Sequence, residues 1–93
     1  MNDEQTKWLA EKIGWEHVSH GNYMNANGAL MISGGELTER SAWDVRRHFK
    51  WDVCWTITGE WAVFTATKCL ARNDDDITAV TEAVIAMWEA GDE

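Results

Sequence analysis

The segment from Trp51 to Thr58 alternates between apolar and more polar side chains. A repeat of two residues is typical of a β-strand with one buried face, because successive side chains point to opposite sides of the sheet. Gly59 and Glu60 follow, and glycine at the first position of a two-residue loop fits a type II′ turn. The sequence therefore predicts a long antiparallel hairpin over residues 51–70, with residues 61–70 as the returning strand.

In that register the two faces of the hairpin differ in composition. The predicted core face consists of Trp51, Val53, Trp55, Ile57, Ala62, Phe64 and Ala66. The opposite face, called here the Thr-rich face, consists of Asp52, Cys54, Thr56, Thr58, Trp61, Val63, Thr65 and Thr67. The Thr-rich face is too apolar to be wholly bare, so either a helix or loop of this chain covers part of it or a partner does.

Three further segments are predicted to be helices, over residues 3–13, 38–49 and 76–90. Their ends are marked by capping residues and by glycine stops, which are Asp3, Gly14, Thr38, Asp75 or Asp76, and Gly91. A short hairpin, with one strand near Tyr23 and another over residues 29–33, joins the first two helices. The predicted order is helix, short hairpin, helix, long hairpin, helix, in a single α+β domain of 93 residues whose antiparallel sheet centres on residues 51–70.

The acidic charge is concentrated near the end of the chain. The net charge is −8, yet residues 1–72 carry nine acids against eight bases, whereas residues 73–93 carry seven acids and no Lys or Arg. Such a surface repels nucleic acid and membrane phosphates and attracts basic partners. We therefore expect a partner protein with a basic surface and no direct contact with nucleic acid or membrane.

The acids of the last segment have structural and functional interpretations. Asp74, Asp75 and Asp76 fit a helix cap with dipole partners, and a partner contact in addition stays open. Glu82 and Glu89 are seven residues apart on the back of the last helix, where they form an acidic stripe with Asp92 and Glu93. This stripe is either a solvated helix face or a surface for a basic partner.

Seven tryptophans exceed what one small core needs, so some are expected at the surface. Helical phase places Trp43 opposite the apolar face of the second helix. Either a loop or the first hairpin packs over Trp43, or Trp43 is an interface anchor. The same two interpretations apply to Trp61 and Val63. Either the first helix buries them, or they belong to a surface for a dimer or another partner.

No motif in the chain indicates catalysis, a metal site or a cofactor. His17 and His20 have no recognised ligand spacing, and they are interpreted as surface or partly buried histidines. Cys54 and Cys69 are interpreted as two buried thiols of a cytosolic protein. The acidic, polar N-terminus and the lack of a long apolar run predict a cytoplasmic protein. A ligand pocket between sheet and helices, lined by Trp51, Trp55 or Trp88, is a third functional class.

Several stretches together resemble a family of small phage proteins, the phage ABA-sandwich domain. They are Leu-Ala-Glu-Lys-Ile-Gly-Trp at 9–15, Ser-Ala-Trp-Asp-Val at 41–45, the Trp-rich hairpin and the alanine-bearing last helix. The resemblance implies a sheet between helical layers and a phage or prophage origin, and it carries no catalytic residues. Small acidic phage proteins often bind and block host machinery, which is an association with the family and not a physical derivation.

Besides the ligand pocket, these observations lead to one leading hypothesis and one alternative. The hypothesis is a non-enzymatic phage protein in the host cytoplasm that binds and inhibits a host protein, such as a nucleic-acid-binding defence effector, in the manner of an anti-CRISPR protein. Its expected interface residues are Trp43, Trp61, Val63, Asp74, Asp75, Asp76, Glu82 and Glu89. The alternative is a structural or regulatory homo-oligomer, a homodimer for example, that associates through the Thr-rich face.

Overall fold

A computed structural model describes residues 1–91 and has three helices and two antiparallel sheets among them. The elements are α1 Asp3–Ile13, β1 Glu16–Ser19, β2 Asn22–Met24, β3 Leu30–Ser33, β4 Glu36–Leu37, α2 Glu39–Phe49, β5 Asp52–Trp55, β6 Trp61–Phe64, β7 Cys69–Asn73 and α3 Asp76–Ala90. The four-stranded sheet has the order β1-β2-β3-β4, and the three-stranded sheet has the order β5-β6-β7. The α+β class is confirmed, with two sheets in place of one.

The helix boundaries follow the capping signals closely. Thr38 caps α2 and accepts a hydrogen bond from the Ser41 amide, and Asp75 caps α3 and accepts one from the Thr78 amide. The predicted bounds of α1 are confirmed, but its cap is Asn2 and not Asp3. Asn2 and Gln5 form a reciprocal capping box, which satisfies two backbone amides at once and so favours Asn2 over Asp3.

The register of the second hairpin differs from the prediction. Trp55 pairs with Trp61 and Val53 pairs with Val63, whereas the predicted turn placed Phe64 opposite Trp55. The loop has three residues in place of two, because the Thr56 amide donates to the Glu60 carbonyl at 2.7 Å. Gly59 has φ 83°, the left-handed conformation that closes a three-residue loop. The observed register differs from the predicted one by an odd number of residues. Side chains of the two strands that were predicted to lie on opposite faces of the hairpin therefore share one face.

The predicted strand over residues 61–70 is two strands, β6 and β7. The Thr65 hydroxyl accepts hydrogen bonds from the amides of Thr67 and Lys68, and the Thr65 amide donates to the Lys68 carbonyl at 2.8 Å. These local bonds compete with the strand ladder and turn the chain back. β7 then pairs antiparallel with β6, which places Asn73 beside Trp61.

One hydrophobic core joins both sheets, and α3 lies at its centre. Buried residues of α3 are Ala79, Val80, Ala83 and Val84. They pack with Leu9 of α1, Ile32 of β3, Val45 of α2 and Val63 of β6, and all four of these are fully buried. The alanines on α3 allow close approach by its neighbours, so both sheets and all three helices share one interior.

The Thr-rich face predicted for the hairpin does not form. Val63 is fully buried, and Val53 and Trp61 pack partly buried against the same core, so α3 covers the face that carries them. Threonines of the predicted face lie instead in the turns that bound β6, where Thr56 and Thr65 organise hydrogen bonds. The expectation that Val63 contributes to an interface is therefore wrong.

The other face of the three-stranded sheet is turned to solvent. Cys54 and Cys69 are both exposed and free, so the interpretation as buried thiols is wrong. They share this outer face with Arg72, which is also exposed, because Cys54 and Arg72 both pair with Ala62. Among residues 1–91, α3 packs against β6 and β7 on the inner face of this sheet, which is the side that carries Val63.

The four-stranded sheet is larger than the predicted first hairpin. The pairing of β2 with β3 confirms strands at Tyr23 and over residues 29–33. The sequence analysis missed β1 and β4, which are short and lie at the two edges. All four residues of β1 are exposed, including Val18, so the burial pattern that reveals a strand is absent there.

Candidate functional site

A groove opens between α2, the three-stranded sheet and the beginning of α3. Its volume is about 170 Å³, and apolar side chains from α2, β5 and α3 form its base. The indole rings of Trp43 and Trp61 line it, and three charged side chains stand with them, which are Glu39, Arg46 and Asp76. The fold thus brings together three of the residues expected at an interface, namely Trp43, Trp61 and Asp76.

Trp43 is 59% exposed, so neither a loop nor the first hairpin covers it. Its position follows from the phase of α2, whose buried residues Ser41 and Val45 lie on the opposite side. The Arg46 guanidinium lies 4.7 Å from the centre of the Trp43 ring, within the range of a cation–π contact. The guanidinium therefore lies against an indole that is otherwise largely exposed.

Trp61 supplies the second aromatic wall from the sheet. It is partly buried against the core and meets Trp55 edge to face, with ring centres 5.3 Å apart. Trp55 itself is 56% exposed. Trp43, Trp61 and Trp55 therefore belong to two adjoining elements, α2 and the three-stranded sheet, and extend the aromatic surface from the groove to the hairpin.

Two carboxylates from helix beginnings border the groove. Glu39 is the first residue of α2 and Asp76 is the first residue of α3, and both are exposed. The Asp76 carboxylate accepts a hydrogen bond from the Ile77 amide at 2.8 Å. Acidic residues are favoured in the first turn by the helix dipole, which explains their position without any partner. Their common location at one groove still gives that groove a negative border.

The remaining acids predicted at the interface divide by structural role. Asp75 is the α3 cap, and hydrogen bonds from the Thr78 side chain and then its amide hold the pKa of Asp75 below its ordinary value. Glu82 accepts from the Asn73 side-chain amide at 2.8 Å. Asp74 is exposed beside the cap, and Glu89 is exposed in the last turn of α3. The predicted stripe also included Asp92 and Glu93, which lie outside the described residues.

A second groove with the opposite charge adjoins Trp43. Its positive side chains come from the end of α2 and are Arg46, Arg47 and Lys50. Trp51 and Asp52 complete this groove, and Trp43 belongs to both. Basic residues in the last helical turn are also favoured by the helix dipole. Trp43 therefore stands between a negatively bordered groove and a positively charged one.

The residues proposed for other kinds of site do not converge. His17 meets Tyr23 edge to face with ring centres 5.2 Å apart, and His20 lies 3.9 Å from the Asp3 carboxylate. Within residues 1–91, no group of three or more His, Cys, Asp or Glu side chains is placed to hold a metal ion. Trp51 lines the second groove, whereas Trp55 is 56% exposed in β5 and Trp88 is partly buried in the last turns of α3. A small-ligand pocket lined by one of these three tryptophans stays a prediction.

The aromatic members of this groove were expected at an interface, but two of its charged members, Glu39 and Arg46, were not. The spacing of Trp43 and Arg46, three residues apart on one helix, was a signal, since such residues are neighbours on a helix surface. Glu39 has no equivalent local signal, because its position at the groove depends on how α2 and α3 pack.

Comparisons of the chain with protein-family models, with curated proteins and with solved structures found no match. The resemblance to the phage ABA-sandwich domain therefore stays a prediction. Among the described residues, no helix has the length and apolar character needed to cross a membrane.

Proposed function

We propose that this protein is a non-enzymatic phage protein that binds a host protein through the Trp43–Trp61 groove and blocks that protein's basic surface. The observation that supports this proposal is the exposed indole of Trp43 beside carboxylates from two helices. Tryptophan is enriched among residues that dominate binding energy, because a flat ring buries much area with little loss of conformational freedom.

Charge supports a basic partner. The chain carries a net charge of −8, which attracts positively charged surfaces over distances beyond direct contact. Asp74 and Asp75 continue the negative border from Asp76 along the turn before α3. A nucleic-acid-binding defence protein presents a surface of this kind, so occupying it would prevent the host protein from binding its nucleic acid. The phage origin rests on the family resemblance alone.

The first test is affinity capture of the tagged protein's partner from a bacterial host lysate at low and high salt, with and without nuclease. We expect to capture one protein partner in stoichiometric amount. Its capture should be unaffected by nuclease and lost at high salt, because salt screens charged contacts beyond about 8–10 Å.

The double variant Glu39→Gln and Asp76→Asn removes two rim charges, each worth about 0.5–1 kcal/mol, so partner affinity falls about 5- to 30-fold.

The matched control is Glu16→Gln with Glu36→Gln, which changes the net charge equally at two exposed positions of the four-stranded sheet. We expect that control to retain the partner. Equal losses in both double variants would show that only net charge matters and would contradict a site at the groove. Recovery of the bait alone, or of nucleic acid that nuclease removes, would contradict the proposed function.

A further inference from the structure

We infer that the Trp43–Trp61 groove receives one arginine side chain of the partner protein. This inference rests on the proposed function and names the group that the groove recognises. Three properties of the groove support it, namely its size, its aromatic walls and its carboxylates.

The groove is the size of a side chain. Its volume of about 170 Å³ is below the roughly 300–1,000 Å³ of small-molecule pockets. That size favours a single long side chain over a nucleotide-sized ligand as the occupant of this groove.

The walls favour a planar cation over a neutral apolar group. Trp43 and Trp61 present indole rings to the groove, and tryptophan is the best aromatic partner for a cation. Arg46 already demonstrates the contact within this chain, since its guanidinium lies 4.7 Å from the Trp43 ring centre. Guanidinium stacks on aromatic faces and is more weakly hydrated than ammonium, so arginine suits these walls better than lysine.

The carboxylates complete the recognition of an arginine. Glu39 and Asp76 both line the groove, and a guanidinium donates to carboxylate oxygens through its forked N–H groups. The apolar base, formed by Ala42, Val53, Ile77 and Val80, would cover the methylene stem of the incoming side chain. The groove would then contact both the guanidinium and the methylene groups of the same arginine.

Arg46 acts against the incoming cation because it adds one positive charge to the same groove. This feature separates two classes of ligand. An arginine would bind more tightly once the Arg46 charge is removed, since like charges repel. An anion held by Arg46 would instead lose its main contact. The variant Arg46→Gln therefore has opposite consequences for the two classes.

The test is a titration of the full chain with Gly-Ser peptides that differ at one central residue: arginine, lysine or citrulline. Citrulline is the neutral isostere of arginine. The readout is the NMR signal of each indole N–H, assigned with Trp43→Phe and Trp61→Phe. We expect the arginine peptide to shift both groove signals and to bind at least about fivefold more tightly than the citrulline peptide, given the energy of an exposed cation–π contact with a charged hydrogen bond. Lysine should fall between the two.

The protein variants provide the second half of the test. Glu39→Gln with Asp76→Asn should weaken arginine binding about 5- to 30-fold, and Arg46→Gln should strengthen it about two- to fivefold. Glu16→Gln with Glu36→Gln should leave it unchanged. Equal affinity for arginine and citrulline peptides, or loss of binding in Arg46→Gln, would overturn the inference.

The capture experiment and the peptide titration together distinguish failure of this inference from failure of the proposed function. A captured protein partner that Trp43→Ala releases, together with no preference for the arginine peptide, would contradict the arginine and retain the groove as an interface. Selective arginine binding without any captured protein partner would support recognition of the side chain and contradict the proposed function.

Discussion

Replacement of Trp43 by alanine is expected to lower partner affinity by at least about 30-fold, the effect of losing about 2 kcal/mol at an interface hot spot. The indole is 59% exposed, so binding would remove most of its remaining surface from water. The folded chain should lose less than about 1 kcal/mol of stability, because the substitution leaves the core intact. Affinity is measured by titration calorimetry with the captured partner, and stability by urea unfolding.

Leu30→Ala is the control for this prediction. Leu30 is 43% exposed on the four-stranded sheet, so its truncation also removes apolar surface, and it does so away from the groove. We expect Leu30→Ala to bind as tightly as the unsubstituted chain. Trp43→Ala that binds with full affinity, or that unfolds, would contradict the assignment of Trp43 as a surface anchor.

Replacement of Val63 by aspartate is expected to have the largest effect on stability. Val63 is fully buried in β6 under α3, and a carboxylate there would have neither solvent nor a cationic partner. An uncompensated buried charge costs about 3–5 kcal/mol, a large part of the roughly 5–15 kcal/mol that stabilises a small domain. At this chain length the melting temperature should fall by at least about 12 °C.

Val18→Asp makes the same substitution at a valine that is 54% exposed in β1. We expect its thermal unfolding, followed by circular dichroism, to change by only a few degrees, because the new carboxylate stays in water. Similar melting temperatures for Val63→Asp and Val18→Asp would place Val63 at the surface, as the Thr-rich face required, and would revive the homo-oligomer alternative.

The helices were predictable because their signals are local. Thr38 and Asp75 satisfy backbone amides only three residues away, and Gly14 and Gly91 end α1 and α3 in the left-handed conformation. A cap and a stop lie within the helix's own sequence, so tertiary structure has little influence on them. The cap of α1 differs from the prediction, because the reciprocal Asn2–Gln5 pair selects Asn2 and not Asp3.

The register of the second hairpin was not predictable from alternation alone. Both a two-residue loop beginning at Gly59 and a three-residue loop ending at Gly59 preserve the alternation within β5. The loop observed is selected by Thr56, whose hydroxyl donates to the Glu60 carbonyl at 3.0 Å. Because the two loops give registers that differ by an odd number of residues, the loop that forms places Val63 in the core and not on the predicted Thr-rich face.

The sequence predicted those features of the candidate site that depend on local structure and not those that depend on packing between elements. The exposure of Trp43 follows from helical phase, which is local, whereas the proximity of Trp43, Trp61 and Asp76 depends on packing among α2, β6 and α3. The sequence located the acidic excess but could not separate capping from recognition. The structure shows that Asp75 is engaged as a cap and that Asp76 lines the groove.

The most direct test of the groove as the interface is hydroxyl-radical footprinting of the chain, alone and with its captured partner. Both tryptophans of the groove and the exposed His17 of β1 are oxidisable reference points. We predict that the partner lowers the oxidation rate of Trp43 and Trp61 and leaves that of His17 unchanged. Protection of His17 with undiminished oxidation of Trp43 and Trp61 would place the interface on the four-stranded sheet and contradict the groove.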